Sequence, residues 1–321
     1  MIVGCWNVRG LLNSLTQKEV EDLLGKHKLS VCGLLETKIW DPGTLNSIVE
    51  RRFRHWMKAD NFHLHTAGRI LVIWNPDVAR VEVLGMTSQV IHCKVTCLVT
   101  KRLFYASFVY GLFTPVTRRP LWHSLVEFGS NISEPWLCLG DFNVVLKPEE
   151  KSGGNLMTPY LLNDIQTCFR RSGLEDLPST GFQYTWTNHT VWSKLDRALV
   201  NQTWRDVFEA SSAHFLPFGG VSDHSPVIVR LGGTEPPASR PFCFFNMWTQ
   251  HDDFQREVKE IWTANYQGSR QWAVCKNLKA LKHPLKRFNR REFGHISERV
   301  KRAGGELEEI QQIYHNDPHN Q

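Results

Sequence analysis

Short, nearly unbroken apolar runs recur along the first two-thirds of the chain: Met1–Trp6, Val31–Leu35, Ile70–Trp74, Leu103–Tyr110 and Trp136–Leu139. Each is bounded by Gly, Pro, Asn or Asp, and this pattern predicts buried strands rather than amphipathic helices. Arg80–Val83 and Val90–Val99 lie close together with Gly85 between them, which predicts a hairpin. Helical spacing is interleaved with these runs. Thr16 followed by Glu19 fits a capping box, with Val20, Leu23 and Leu24 as the apolar face behind it. Pro120–Phe128 and Pro159–Arg171 each open with a proline, a residue tolerated in the first turn of a helix. Hairpins mixed with helices imply packed sheets with helices outside, an α/β sandwich. The segment Leu231–Pro241, LGGTEPPASRP, continues neither element type. Beyond it the texture turns helical over Phe254–Tyr266, Gln271–Arg291 and Gly305–His315. The reading is a first domain over 1–233 and a helical, basic extension over 234–321.

Composition narrows the class. Apolar residues make up 41% and charged residues 22% of the 321, an ordinary globular balance that excludes wholesale disorder. No run approaches the ~18 apolar residues of a bilayer-spanning helix, and MIVGCWNVRG lacks the pattern of a secretory signal. A soluble, intracellular protein with no membrane partner is expected. The net charge of +6 is unevenly placed: Lys276–Arg302 holds ten basic residues against Glu292 and Glu298. Such a footprint suits a polyanion or is simply a solvated helix face. Eight cysteines are scattered, several within apolar runs, and Cys93 and Cys97 have no second Cys/His pair to complete a zinc site. Reduced core thiols are expected. His63 and His65 in FHLHT likewise have no metal-ligand spacing and read as surface or strand residues.

The informative polar residues stand where buried strands stop, because the ends of core strands are where a rigid scaffold displays reactive groups. Asn7 follows the first run, Glu36 ends VCGLLETK, Tyr110 ends FYASFVYG, and Asp141 and Asn143 close PWLCLGDFN. Asp196 sits inside SKLDRALV, and Asp223 and His224 precede SPVIVRL. Any one of these is unremarkable as a cap or turn residue. Together they are carboxylates, amides, a tyrosine and a histidine at successive strand ends.

In that order, WNVRG, LLETK, VYG, GDFN, SKLDRALV and SDHSP resemble the successive motifs of the endonuclease/exonuclease/phosphatase superfamily. Within it the chain is similar to the apurinic-type endonuclease domain of plant LINE-type (non-LTR) retrotransposons, to which GRILVIWNP and FQYTWTN add further likeness. The resemblance covers roughly residues 1–232, and LKHPLKRFNRREFGHISERV is similar to the linker before a reverse transcriptase in such elements. It implies a four-layered α/β/β/α sandwich of two mixed, largely antiparallel sheets, followed by a helical basic C-terminal extension. It implies a Mg²⁺-dependent phosphodiesterase, with Mn²⁺ as a substitute, that nicks DNA and leaves a 3′-hydroxyl.

Breaking a phosphodiester requires neutralising the phosphate, activating water and helping the alkoxide leave, and a hard cation held by few carboxylates does much of this. Glu36 matches the principal metal ligand, with Asn7 as a phosphate or metal-shell contact and Asp223 completing the metal or histidine environment. Asp141 matches the water-orienting carboxylate and Asn143 positions nucleophile or phosphate. Asp196 fixes the tautomer of His224, which faces the scissile phosphate, and Tyr110 donates to that phosphate. Arg9 departs from repair-type relatives, which tend to carry Asp there. It contacts a substrate phosphate or pairs with a neighbouring carboxylate. Thr185 and Trp186 match a loop near the DNA minor groove, although Trp186 reads equally as a core strand residue. Lys286, Arg287, Arg290 and Arg291 are expected to add salt-sensitive phosphate contacts.

DNA is the expected partner, with RNA or a separate reverse transcriptase as further ones, and the sequence carries no oligomer signal. Nuclear residence is expected, on a weak import-like cluster in KRFNRREFG. Two rival readings stand beside the nuclease: a phosphoesterase of the same fold acting on inositol phosphates or lipid headgroups, and a non-catalytic nucleic-acid-binding remnant.

Overall fold

The apolar runs become strands because both of their faces are covered. A computed structural model describes residues 1–65, 68–154, 159–218, 220–232, 244, 246–262 and 270–293, and the chain divides into two compact units, Met1–Pro237 and Ala238–Gln321. In the first unit, β1 (Ile2–Asn7), β2 (Val31–Leu35), β3 (Met57–Asp60) and β4 (Ile70–Trp74) are followed by β5 (Ala79–Met86), β6 (Val90–Cys97), β7 (Leu103–Tyr110) and β8 (Trp136–Asp141). Shorter elements come next: β9 (Lys151–Ser152), β10 (Glu175–Asp176), β11 (Ser179–Gly181), β12 (Trp186–Thr187) and β13 (Trp192–Ser193). Then come β14 (Asp196–Val200), β15 (Ser212–Phe215) and β16 (Val227–Arg230). The helices of this unit are α1 (Ser14–His27), α2 (Pro42–Arg52), α3 (Pro115–Ser130), α4 (Pro159–Ser172) and α5 (Gln202–Val207).

The strands form a seven-stranded sheet in the order β11-β15-β16-β1-β2-β4-β3 and a six-stranded sheet in the order β10-β14-β8-β7-β6-β5, with β12, β13 and β9 as a small third sheet. Both large sheets are mixed. In the first, β1 pairs parallel to β2 and β11 to β15, and in the second β7 pairs parallel to β8; their other pairings are antiparallel.

Alternation along each strand sends side chains to two different cores. Val3, Cys5, Val31 and Leu35 meet Phe104, Phe108, Leu137 and Leu139 between the sheets. Trp6, Leu34 and Ile73 face outward onto Val20, Leu24, Leu45 and Ile48 of α1 and α2. Val109, Trp136 and Cys138 face outward onto Leu121, Leu125, Ile165 and Cys168 of α3 and α4. The result is a helix–sheet–sheet–helix sandwich. The described cysteines are free, and all but Cys275 are buried.

Two local expectations change. Helix α1 begins one turn early, because the Asn13 side chain accepts from the Leu15 amide at 2.9 Å and caps the helix, leaving Thr16 buried inside it and no capping box with Glu19. Helix α3 starts at Pro115 behind the Thr114 cap, so Pro120 is internal. The carbonyl it leaves unbonded is that of Val116, whose side chain is exposed, where water can serve it. The expected hairpin is present: β5 and β6 pair antiparallel, with a bulge where the register shifts between Val83 and Gly85, and the chain reverses at Thr87–Gln89.

In the second unit, α6 (Phe254–Trp262) and α7 (Arg270–Phe293) pack Leu281, Leu285 and Phe288 around Trp248, with Phe254, Val258 and Ile261 at the margin. The helix expected over Gly305–His315, and the end of that expected over Phe254–Tyr266, lie outside the described residues. Among the described residues no helix is long and apolar enough to cross a membrane.

The sheets approach closely where Gly33 of β2 faces Phe108 of β7, and a Cβ at Gly33 would lie 2.3 Å from the Phe108 ring. Gly33→Ala is therefore expected to destabilise the first unit by about 1–3 kcal/mol. Urea denaturation checks this, and combining it with Phe108→Leu should cost less than the two single changes together.

Candidate active site

Topology, not sequence proximity, assembles the polar cluster. Parallel pairing places the C-terminal ends of β1 and β2 at one edge, and those of β7 and β8 likewise. Strands β14 and β16 run antiparallel to β8 and β1, so they begin where those end. Asn7 closes β1, Glu36 follows β2, Tyr110 and Asp141 close β7 and β8 opposite one another, and Asp196 opens β14 opposite Asp141. His224 lies just before β16, bridged to Trp186.

Asn7 is the hub. Its amide nitrogen lies 2.9 Å from Asp141 Oδ2, 3.3 Å from Glu36 Oε2 and 3.4 Å from His224 Nε2. His224 Nδ1 lies 2.9 Å from Asp196 Oδ2, and Nε2 is 3.8 Å from Asp141 Oδ2. The backbone around the histidine is pinned: Trp6 Nε1 donates to the His224 carbonyl at 2.9 Å, and Ser222 Oγ accepts from the His224 amide while donating to the Asn7 carbonyl at 2.7 Å.

Burial fights the charge on His224, but the carboxylates of Asp196 and Asp141 outweigh it and push the imidazole up to about 9. Burial raises Asp141 to about 6, against the opposing pull of His224. The Tyr110 hydroxyl is pushed well up by burial and by the charges of Glu36 and Asp141, so it remains a donor at neutral pH.

Three side chains behave otherwise than the sequence suggests. Thr185 is fully buried, so it cannot face a groove; its hydroxyl accepts from the amides of Leu195 and Asp196 at 3.0 and 2.9 Å, which places the carboxylate that holds His224. Trp186 is neither a free groove reader nor a core residue: it is half-buried and donates to Asp223 Oδ2 at 3.0 Å. Asn143 spends its side-chain amide on the Gly111 carbonyl at 3.1 Å, and its backbone amide on Asp141 Oδ1 at 2.8 Å. Arg9 takes the second of its two expected roles and pairs with carboxylates, at 3.2 Å from Asp223 and 3.6 Å from Glu36. Lys286, Arg287 and Arg290 lie on α7 in the second unit, the first two exposed. Arg291 there is engaged by Glu257 and Glu292.

Sequence reasoning missed Lys38, which sits 3.0 Å from Glu36 Oε1, and Arg69, whose guanidinium lies over the Tyr110 ring. A signal existed for each: Lys38 shares the LETK motif, and Arg69 is a charged residue directly before an otherwise apolar run. Arg9, Glu36, Lys38 and Asn143 all adopt left-handed backbone conformations, with φ of 53°, 52°, 55° and 54°. Non-glycine residues held there cost energy, and such strain concentrates at functional sites.

A hard cation fits one end of this cluster better than the other. Asp141, Asp196 and His224 place one ligand atom each within 4.8 Å of one another. Yet His224 Nδ1 is already engaged by Asp196 at 2.9 Å, and its Nε2 lies 3.4 Å from the Asn7 amide nitrogen, so neither ring nitrogen stands free for an ion. Glu36 is an oxygen donor whose side chain keeps 13% of its exposure, and the buried Asp223 Oδ1 has no hydrogen-bond partner. Arg9 already touches both carboxylates. Glu36 and Asp223 are thus the residues that would hold a divalent ion, at the expense of the Arg9 and Lys38 ion pairs.

The fold has many solved counterparts. The 3′ phosphatase NExo from Neisseria, bound to a product DNA hairpin, is 17% identical with a TM-score of 0.55 over 73% of this chain and 100% of its own. The endonuclease domain of TRAS1, a telomere-specific non-LTR retrotransposon, is 11% identical with a TM-score of 0.54 over 73% and 99%. The AP endonuclease LMAP from Leishmania major is 14% identical with a TM-score of 0.54 over 71% and 86%. At such identities the likeness is one of fold. No curated protein matches the sequence. The sequence profile of the Endonuclease/Exonuclease/phosphatase family, however, matches residues 4–224, the stretch from the first strand to the histidine of the cluster, and the chain belongs to that family.

Proposed function

We propose that this chain is a Mg²⁺-dependent endonuclease that nicks DNA and derives from a plant LINE-type retrotransposon. The observation that carries the hydrolytic reading is an imidazole held between two buried carboxylates, at 2.9 and 3.8 Å, at the strand edge where Glu36 and Tyr110 also stand. Family members hydrolyse phosphoester bonds and generally use divalent metals. The choice of DNA rests on the basic face of α7, where Lys276, Lys279, Lys286 and Arg287 stay exposed while Leu281, Leu285 and Phe288 are buried. The LINE origin rests on the motif set and on the departure at Arg9.

In this reading Glu36 and Asp223 would hold the divalent ion, which when bound would supply neutralisation of the phosphate charge and of the charge on the departing 3′ oxygen. Asn7 and the Tyr110 hydroxyl donate to the phosphate and fix its position. His224 presents Nε2–H to the non-bridging oxygen, stabilising the charge that builds as water attacks. Asp141 orients that water and takes its proton, a task suited to a carboxylate raised to about 6. Asp196 keeps the imidazole charged and aimed, and Thr185 keeps Asp196 in place. The P–O3′ bond breaks and the departing oxygen takes a proton from solvent water, leaving a 3′-hydroxyl and a 5′-phosphate.

Nicking of supercoiled plasmid in Mg²⁺ tests the proposal. Glu36→Ala and His224→Ala are each expected to lower the rate by at least ~100-fold, and a chelator to abolish it. Equal nicking by wild type and both variants would place the activity elsewhere, and faster turnover of a small phosphomonoester than of DNA would transfer the reading to a phosphatase. The pH profile is a second check. Rate should rise through about pH 6 as Asp141 loses its proton and fall through about pH 9 as His224 loses its own. Asp196→Asn removes an anion that favours the imidazolium, so its alkaline limb should move to lower pH; an unmoved limb would remove Asp196 from this role.

A further inference from the structure

Arg69 is a cation beside the catalytic cluster that hydrolysis as described does not use. Its carbonyl accepts from the Glu36 amide at 2.6 Å, so the backbones of the two residues are tied together. Its half-exposed guanidinium lies 5.2 Å from the centroid of the Tyr110 ring and donates through Nη1 to the Tyr110 hydroxyl at 3.4 Å. On its other side Nε and Nη2 lie 3.3 and 3.0 Å from the nitrogens of His65. Among the described residues it forms no ion pair with a carboxylate. Its neighbours at the site differ, since Arg9 pairs with Asp223 and Glu36, and Lys38 with Glu36.

The contrast has a chemical meaning. A guanidinium has five donors in a planar fork, suited to the oxygens of a phosphate. Here it rests on a hydroxyl, a ring face and an imidazole, which orient it without cancelling its charge. An anion that meets the Tyr110 hydroxyl also comes within reach of Arg69, because the two groups already touch.

We propose that Arg69 binds a non-bridging oxygen of the substrate's phosphate backbone beside Tyr110, with His65 as the positioning residue that holds the guanidinium in place. This rests on the endonuclease reading and adds a strand-binding contact to it: a nucleic-acid chain offers a phosphate on either side of the scissile one, which an isolated phosphoester lacks.

The test measures a labelled DNA duplex binding to wild type, Arg69→Met and Arg69→Lys by fluorescence anisotropy in chelator over a salt series, with plasmid nicking in Mg²⁺ assayed in parallel. Arg69→Met keeps an apolar stem against Tyr110 and loses the charge. It is expected to weaken binding roughly tenfold, the scale of one charge-assisted hydrogen bond. It should also flatten the slope of log affinity against log salt by about 0.9, the release of one counterion. Arg69→Lys should restore the slope, because it restores the charge. A slope unchanged in Arg69→Met would overturn the inference and leave Arg69 as a packing partner of Tyr110. So would a loss of nicking in that variant with no loss of binding. Absence of nicking by wild type would instead sink the endonuclease reading, while the salt slopes still decide whether Arg69 contacts phosphate.

Discussion

Two carboxylates, Asp141 and Asp196, face one another across neighbouring antiparallel strands, and both are buried. Like charges directly opposite in a sheet destabilise it, and burial away from water makes each charge more costly still. The arrangement is tolerable because His224 stands beside both, charged, and because Asn7 and the Asn143 backbone donate to Asp141. Charge balance among these residues governs the whole edge. The acids hold the proton on the imidazole, and the imidazolium in turn restrains the rise that burial imposes on Asp141.

Around this buried group lies a more exposed ring of charge. Glu36 is flanked by Lys38 and Arg9, and Arg9 bridges onward to Asp223, which in turn receives the Trp186 indole N–H. Partial exposure keeps such pairs weak. The strain of four left-handed, non-glycine residues is the counterpart: the loops are shaped to present these groups rather than to relax. The division is between a buried, hydrogen-bonded interior that sets protonation and a more exposed, ion-paired rim.

Much of the sandwich was legible because strands covered on both faces need near-continuous apolar runs, and β1, β2, β4, β7 and β8 all announce themselves that way. Local punctuation was less readable. A Thr–Glu spacing imitates a capping box at Thr16, yet Asn13 caps α1; Pro120 imitates a helix start, yet Thr114 and Pro115 begin α3. In each case a short-range signal was real but a neighbour served the backbone better.

The same contrast holds at the site. Sequence alone settled which residues stand at strand ends, because polar residues interrupting a buried run must lie where the run meets solvent or a partner. It could not decide what each one touches. Thr185 reads as a surface hydroxyl until the fold shows it holding the Asp196 backbone, and Arg9 stays ambiguous until Glu36 and Asp223 are seen beside it. Arg69 and Tyr110 are 41 residues apart and meet only through the stacking of two sheets. Which chemistry is present follows from residue type and local pattern; which groups share a proton, a charge or a hydrogen bond follows from strand register and sheet packing, and these are long-range.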